Sequence, residues 1–205
     1  MGGTAITVLP SSFVLLKNLS VLSLRGCEGL SSISSNKLLT FPLMPRRRSP
    51  DPMGMLERSL SSLFSLTKLD LSYCNLRSIP DTFGCLPLLR DLNLSGNNFV
   101  CLPKSIIRLS NLECLCLRGC TTLRCLRGLS NVEFINANDC TSLETLPIRP
   151  ADDFHPNLRL INCVKLIRNQ GYNNIFFNIL RRCFKVSLFN FIKKSSILFS
   201  IQIDS

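Results

Sequence analysis

The 205-residue chain carries 24 Lys and Arg against 13 Asp and Glu, a net charge of +11, and 45% of its residues are apolar. That length and apolar content suffice for one continuous core. No run of ~20 apolar residues is present, so no spanning helix is expected, and the first residues lack the basic and then apolar pattern of a secretion signal.

In chain order, Leu9-Pro10-Ser11-Ser12-Phe13 comes first and leads through Leu16 to Leu19. The frame Leu19-x-x-Leu22-x-Leu24-x-x-Cys27 follows at once. The same frame returns strongly at Leu66, Leu89 and Leu112, with a period of 23 residues, as Leu66-x-x-Leu69-x-Leu71-x-x-Cys74, Leu89-x-x-Leu92-x-Leu94-x-x-Asn97 and Leu112-x-x-Leu115-x-Leu117-x-x-Cys120. Weaker copies are Val132-x-x-Ile135-x-Ala137-x-x-Cys140 and His155-x-x-Leu158-x-Leu160-x-x-Cys163. A leucine frame ending in Asn or Cys at a fixed period of 20–29 residues is the leucine-rich-repeat signature.

The frame has a physical reading. Side chains alternate across a strand, so the two residues of each L-x-L point inward and their neighbours point out. By this rule Lys68, Asp70 and Ser72 face outward. The closing Asn97 can bond backbone groups from inside the stack, and a Cys fills the same slot as a compact hydrophobe and weak donor. Strands are expected near Leu22–Leu24, Leu69–Leu71, Leu92–Leu94, Leu115–Leu117, Ile135–Ala137 and Leu158–Leu160. Between strands, Phe83/Leu86/Leu89 and Ile106/Leu109/Leu112 step by three, which suits a 3₁₀ turn or short helix. The prolines at the head of these stretches, with small polar residues around them, give the start signal. The expected fold class is α/β, a right-handed curved solenoid with a parallel sheet on its concave side and short helices, 3₁₀ turns and loops on its convex side.

Residues 1–168 are read as this solenoid. Its frame is lost over 31–62, where Pro42, Pro45, Pro50, Pro52 and many Ser mark an irregular loop in one stretched repeat. Because the chain opens in the middle of a repeat, it is read as a fragment of a longer protein. Residues 169–205 form a basic, apolar tail. Ile175, Phe176, Ile179 and Leu180 within it share a helical face and are expected to cap the last repeat over 173–185. Phe154 to Ile203 holds eight Lys and Arg and no acid. A second basic cluster, Arg46-Arg47-Arg48, resembles a weak nuclear-localisation patch.

Five cysteines, Cys27, Cys74, Cys120, Cys140 and Cys163, fall on the closing position of the frame. They read as buried, reduced thiols rather than a disulfide scaffold. Cys114 and Cys116 flank Leu115 and face outward, where a metal or redox role competes with a plain surface role. No C-x-x-C pair accompanies them. His155 has no Ser or Cys arranged around it in a catalytic motif. No cofactor is expected, and the chain is not expected to be an enzyme.

The run Leu69-Asp70-Leu71-Ser72-Tyr73-Cys74-Asn75-Leu76, with Leu94-Ser95-Gly96-Asn97-Asn98-Phe99 and Leu102-Pro103-Lys104-Ser105-Ile106, resembles the repeats of plant intracellular immune receptors of the TIR-NB-ARC-LRR class, of the tobacco mosaic virus resistance protein N type. Asn138-Asp139-Cys140-Thr141-Ser142-Leu143 resembles their closing repeats, and Asn162-Cys163-Val164-Lys165-Leu166 the exit from them. The resemblance implies a recognition module that senses a pathogen effector or a guarded host protein, or that contacts the receptor's own nucleotide-binding domain. It implies a cytoplasmic site, with the nucleus as a second one. No phosphate-cradling G-x-x-x-x-G-K-[ST] is present, so nucleotide chemistry does not carry over. Small molecules and nucleic acid are not expected partners. The alternative is a generic intracellular repeat scaffold; an extracellular receptor would require a secretion signal and paired capping cysteines. Recognition would fall on the outward strand positions: Arg25, Lys68, Asp70, Tyr73, Asp91, Asn93, Arg118, Phe134 and Asn136, with Val21, Ser23, Cys114, Cys116, Ser95 and Asn138 beside them. Aromatics and Arg dominate interfaces, which favours Arg25, Tyr73, Arg118 and Phe134.

Overall fold

The computed structural model describes residues 15–27, 60, 62–127, 129, 132–146 and 157–168. Six short strands, β1 (Val21–Ser23), β2 (Lys68–Asp70), β3 (Asp91–Asn93), β4 (Cys114–Cys116), β5 (Phe134–Asn136) and β6 (Asn157–Arg159), form one parallel sheet in sequence order. The register aligns Leu22, Leu69, Leu92, Leu115, Ile135 and Leu158. All six are buried, as are Leu24, Leu71, Leu94, Leu117, Ala137 and Leu160. The leucine frame is thus the inner wall of a repeat solenoid. β1 lies directly beside β2, so no strand stands between the two in the sheet.

Each strand sits one residue earlier than the leucines suggest. The reason lies in the second leucine of each repeat. Its N–H still belongs to the ladder: Leu71 N donates to Asn93 O at 2.8 Å and Leu94 N to Cys116 O at 2.8 Å. Its carbonyl turns inward instead, toward a side chain in the stack. Asn97 Nδ2 donates to Leu71 O at 2.9 Å, and Cys74 Sγ to Leu24 O at 3.0 Å. Pairing therefore ends there.

On the far side of the sheet, two 3₁₀ turns run over Asp81–Cys85 and Lys104–Arg108. The period of three in the leucines is also the period of their hydrogen bonds. Phe83 N donates to Pro80 O, Leu86 N to Phe83 O and Leu89 N to Leu86 O; Ile106, Leu109 and Leu112 repeat the series. Side chains three apart eclipse in such a turn, and here they all point into the core. Pro80 and Pro103 stand at the N-caps in extended conformation, and no side chain caps either turn. The start signal is therefore the proline itself, not the polar residues near it. The two turns stack closely because Gly84 has no side chain: a Cβ there would lie 2.6 Å from Ser105 O.

A one-turn helix, α1 (Val164–Arg168), follows the last strand and places Leu166 in the core. The expected cap over 173–185, the rest of the tail, most of the loop at 31–62, the Arg46–Arg48 cluster and His155 lie outside the described residues.

Candidate functional site

The outward face of the sheet is built from two aligned columns. One holds Val21, Lys68, Asp91, Cys114, Phe134 and Asn157; the other holds Ser23, Asp70, Asn93, Cys116, Asn136 and Arg159. Parallel strands lie ~4.8 Å apart, so residues in one column are near neighbours.

The second column does structural work that the sequence reading assigned to recognition. Asp70 Oδ1 accepts from Ser72 N at 2.9 Å, Asn93 Oδ1 from Ser95 N at 3.1 Å, and Asn136 Oδ1 from Asn138 N at 3.2 Å. Each closes an Asx turn as the chain leaves its strand. Asn93 Oδ1 also accepts from Ser95 Oγ at 2.7 Å. Three of the nine expected recognition residues thus have an oxygen committed to their own turn.

The turn corrects a second expectation. Ser72 and Ser95 do not face out; both are buried. Arg25 and Arg118 occupy the equivalent place in their repeats and are exposed. A long side chain reaches past the curl of the backbone from there, whereas a serine stays beneath it.

The next residue takes a left-handed conformation in all six repeats among the described residues: Gly26, Tyr73, Gly96, Gly119, Asp139 and Asn162 have φ between 55° and 75°. Gly, Asp and Asn tolerate this region and a bulky aromatic does so poorly. Tyr73 is the exception, and it is half-exposed. Its ring lies against Gly96, where a Cβ would come within 2.4 Å of Cδ1, and the Arg25 guanidinium sits 5.3 Å from the ring centre. Strained residues held by their surroundings tend to gather at functional positions.

A second pair of this kind lies toward the other end of the sheet. The Arg159 guanidinium is 5.1 Å from the centre of the Phe134 ring. Sequence reasoning counted Arg159 only among the basic residues of the C-terminal region, because its ring partner lies on another repeat.

Between the two pairs the charges are matched across strands. Lys68 Nζ lies 2.8 Å from Asp91 Oδ2, and this hydrogen bond, then the Asp91 charge, raises the lysine's pKa. Arg90 pairs with Glu113 at 3.1 Å and Arg118 with Asp139 at 3.4 Å. All are exposed pairs, worth ~0–1 kcal/mol each, so a partner can replace them at little cost.

Cys114 and Cys116 are half-buried on β4. Burial raises both pKa values, and the neighbouring Asp91 carboxylate adds to it. A reactive thiol needs the opposite surroundings. Among the described residues, no group of three or more His, Cys, Asp and Glu is placed to hold a metal ion, and no helix is long and apolar enough to cross a membrane.

The leucine rich repeat family model matches residues 57–99, which span β2 and β3 with the 3₁₀ turn between them. The chain folds as a leucine-rich-repeat solenoid. Its relatives are plant disease resistance proteins, as the sequence resemblance implied. Disease resistance-like protein DSC1 of Arabidopsis thaliana is 29% identical over 81% of the chain, and TMV resistance protein N of Nicotiana glutinosa is 33% identical over 58%. The chain spans only 18% and 13% of these two relatives. Among solved structures, the leucine-rich repeat domain of the type III effector XCV3220 (XopL) is 30% identical with a TM-score of 0.49, covering 69% of this chain and 44% of that one. Leucine-rich repeats are protein-interaction modules, and this repeat chain presents the open sheet face that such binding uses.

Proposed function

We propose that this chain is the recognition module of a plant intracellular immune receptor. Its outward sheet face binds a protein: a pathogen effector, a guarded host protein or the receptor's own nucleotide-binding domain. The observation that carries this reading is the pair of aromatic–arginine contacts, Arg25 on Tyr73 and Arg159 on Phe134, set on a face where Lys68, Asp70, Asp91, Asn93 and Asn136 are paired within the repeats. Aromatic and Arg anchors supply most of the energy in protein interfaces. Kinship with plant disease resistance proteins supports the setting.

The module has no chemistry of its own and acts in the cytoplasm. We read residues 1–168 as the solenoid, with an irregular loop at 31–62, and 169–205 as a basic, apolar tail with a capping helix near 173–185. Among the expected residues, Arg25, Tyr73, Arg118 and Phe134 carry recognition, with Lys68 and Asp91 setting charge complementarity. Asp70, Asn93 and Asn136 act mainly by holding the turns.

The test is binding of the purified chain to candidate partners, the receptor's nucleotide-binding domain first. Tyr73→Ala and Phe134→Ala should each weaken binding by tenfold or more, the effect of ~1.4 kcal/mol or greater. Lys104→Ala, on the opposite side of the repeat, should leave it unchanged. Equal affinities for all three variants would remove the sheet face from recognition. ATP or NAD hydrolysis by the purified chain, abolished by a point substitution in it, would contradict the binding role.

A further inference from the structure

Cys101 and Cys125 occupy a second, smaller ladder outside the six-stranded sheet. Their backbones pair in parallel, and Cys125 pairs in turn with Thr145. The pairing holds the two thiols side by side: Cys125 Sγ lies 3.4 Å from Cys101 Sγ and donates its hydrogen bond to it. Cys101 is exposed and Cys125 half-buried. They belong to consecutive repeats and play no part in closing the frame.

We propose that Cys101 and Cys125 are an oxidisable dithiol, converted by hydrogen peroxide to a disulfide that fastens two neighbouring repeats. The Cys101 thiolate attacks one peroxide oxygen. An S–O bond forms, the O–O bond breaks, and the departing hydroxide takes a proton to become water, leaving a sulfenic acid. Cys125, as thiolate, then attacks the Cys101 sulfur. The S–S bond forms, the S–O bond breaks, and hydroxide again leaves as water once protonated. Two thiols are oxidised by two electrons, and one peroxide is reduced to two waters.

The order of attack follows from the site. Cys101 is the more exposed residue of the two and its sulfur accepts the hydrogen bond, so it is the one that peroxide reaches first. Cys125 keeps its proton longer: burial raises its pKa, and the hydrogen bond to Cys101 raises it further. It therefore serves as the resolving thiol. Neighbouring backbones already paired at bridge distance need only side-chain rotation to bring the sulfurs together.

Selectivity comes from contrast with the other cysteines. Cys74, Cys120, Cys140 and Cys163 are buried and spend their S–H on carbonyls of the preceding repeat. Burial pushes Cys74 and Cys120 up to about 11 and Cys163 up to about 12, and raises Cys140 too. Such thiols are poor nucleophiles at neutral pH. The bond would close a ring from 101 to 125 that contains all of β4. It would tighten the stack and leave the outward sheet face untouched.

The experiment treats the reduced full chain with hydrogen peroxide, blocks free thiols by alkylation, and maps the tryptic peptides under non-reducing conditions. The expected product joins Asp91–Lys104 to Cys125–Arg127 with the loss of two hydrogens. Dithiothreitol reverses it, and Cys101→Ser and Cys125→Ser each abolish it. The oxidised wild type should also melt higher than the reduced one, with no such difference in either variant. The proposal is overturned if both cysteines remain reduced while Cys85 or a buried thiol oxidises. It is equally overturned if Cys101 proceeds to sulfinic acid without joining Cys125, or if the cross-link forms elsewhere. Should either serine variant fail to fold, the wild-type peptide map decides alone.

Discussion

Asn97 and the cysteines at the same place in other repeats close the stack in different ways. Asn97 reaches four backbone groups. Its Oδ1 accepts from Cys74 N at 3.2 Å and Leu76 N at 2.9 Å, and its Nδ2 donates to Leu71 O at 2.9 Å and Leu94 O at 2.8 Å. Each thiol of Cys120, Cys140 and Cys163 reaches one carbonyl of the repeat before, at 3.1–3.2 Å. The missing bonds are made locally. Cys120 N and Cys140 N fold back onto Leu117 O and Ala137 O of their own repeats, whereas Cys74 N, which faces Asn97, bonds to the Asn97 side chain. A cysteine rung thus relies on a tight turn and on burial, and the asparagine rung on a hydrogen-bond network. The repeat tolerates either because a buried polar backbone group requires a partner but not a particular one.

The largest effect should come at Leu94, whose carbonyl serves both kinds of rung, receiving Asn97 Nδ2 and Cys120 Sγ together. Leu94→Asp removes a fully buried leucine and buries a lone carboxylate, at a cost of several kcal/mol against ~5–15 for a typical domain. It should unfold the stack, while Asn93→Asp, one residue away and facing out, should keep its turn acceptor and melt within a few degrees of wild type. Equal melting temperatures for the two would break the inward/outward assignment.

Asn97→Ala ranks next. It strands Leu71 O, Cys74 N and Leu76 N and should cost on the order of 3–4 kcal/mol in denaturant unfolding. Cys120→Ala loses one weak donor and a little volume, about 1–2 kcal/mol. If the two substitutions cost the same, the rungs are equivalent and the network reading of Asn97 is wrong.

The thiol rungs also predict a pH dependence. A thiol whose folded pKa is raised contributes stability that is fully present below its unfolded pKa of about 9 and is lost as pH climbs through the folded value, about 11 for Cys74 and Cys120. Melting temperature should therefore decline between these values more steeply in wild type than in a Cys120→Ala variant. A flat profile would show these thiols to be far less buried than the structure has them.

The smallest effect is at Tyr73. Tyr73→Gly relieves a left-handed φ of 58°. It gives up the ring contacts with Arg25 and Gly96 and adds backbone freedom to the unfolded chain, so the net change should stay within ~1 kcal/mol of zero. Partner affinity should fall while stability holds. A loss of more than 2 kcal/mol would make Tyr73 a structural residue.

The architecture was legible because inward leucines at a fixed spacing dictate both the sheet and its register. The strand ends were not, since they depend on a carbonyl turning toward a rung side chain from another repeat. Ser72 was misread for a related reason: alternation holds only while the chain is extended, and the Asp70 turn ends the extension. The outward residues were legible as a set but not in their roles. Asp70, Asn93 and Asn136 looked like free polar groups, and only the geometry commits them to turns. The left-handed place of Tyr73 could have been found by aligning the repeats, where Gly26, Gly96 and Gly119 stand opposite it.

The central claim is that one ladder, closed from within, runs unbroken from β1 to β6. Amide hydrogen exchange tests it most directly. Leu24, Leu71, Leu94, Leu117 and Ala137 each donate to the next strand at 2.8 Å or less. Their amides should be protected together and lose protection together as denaturant rises. If Leu24 exchanged as in an unfolded chain while Leu94 and Leu117 stayed protected, β1 would not pair with β2, and the single-sheet account would fail.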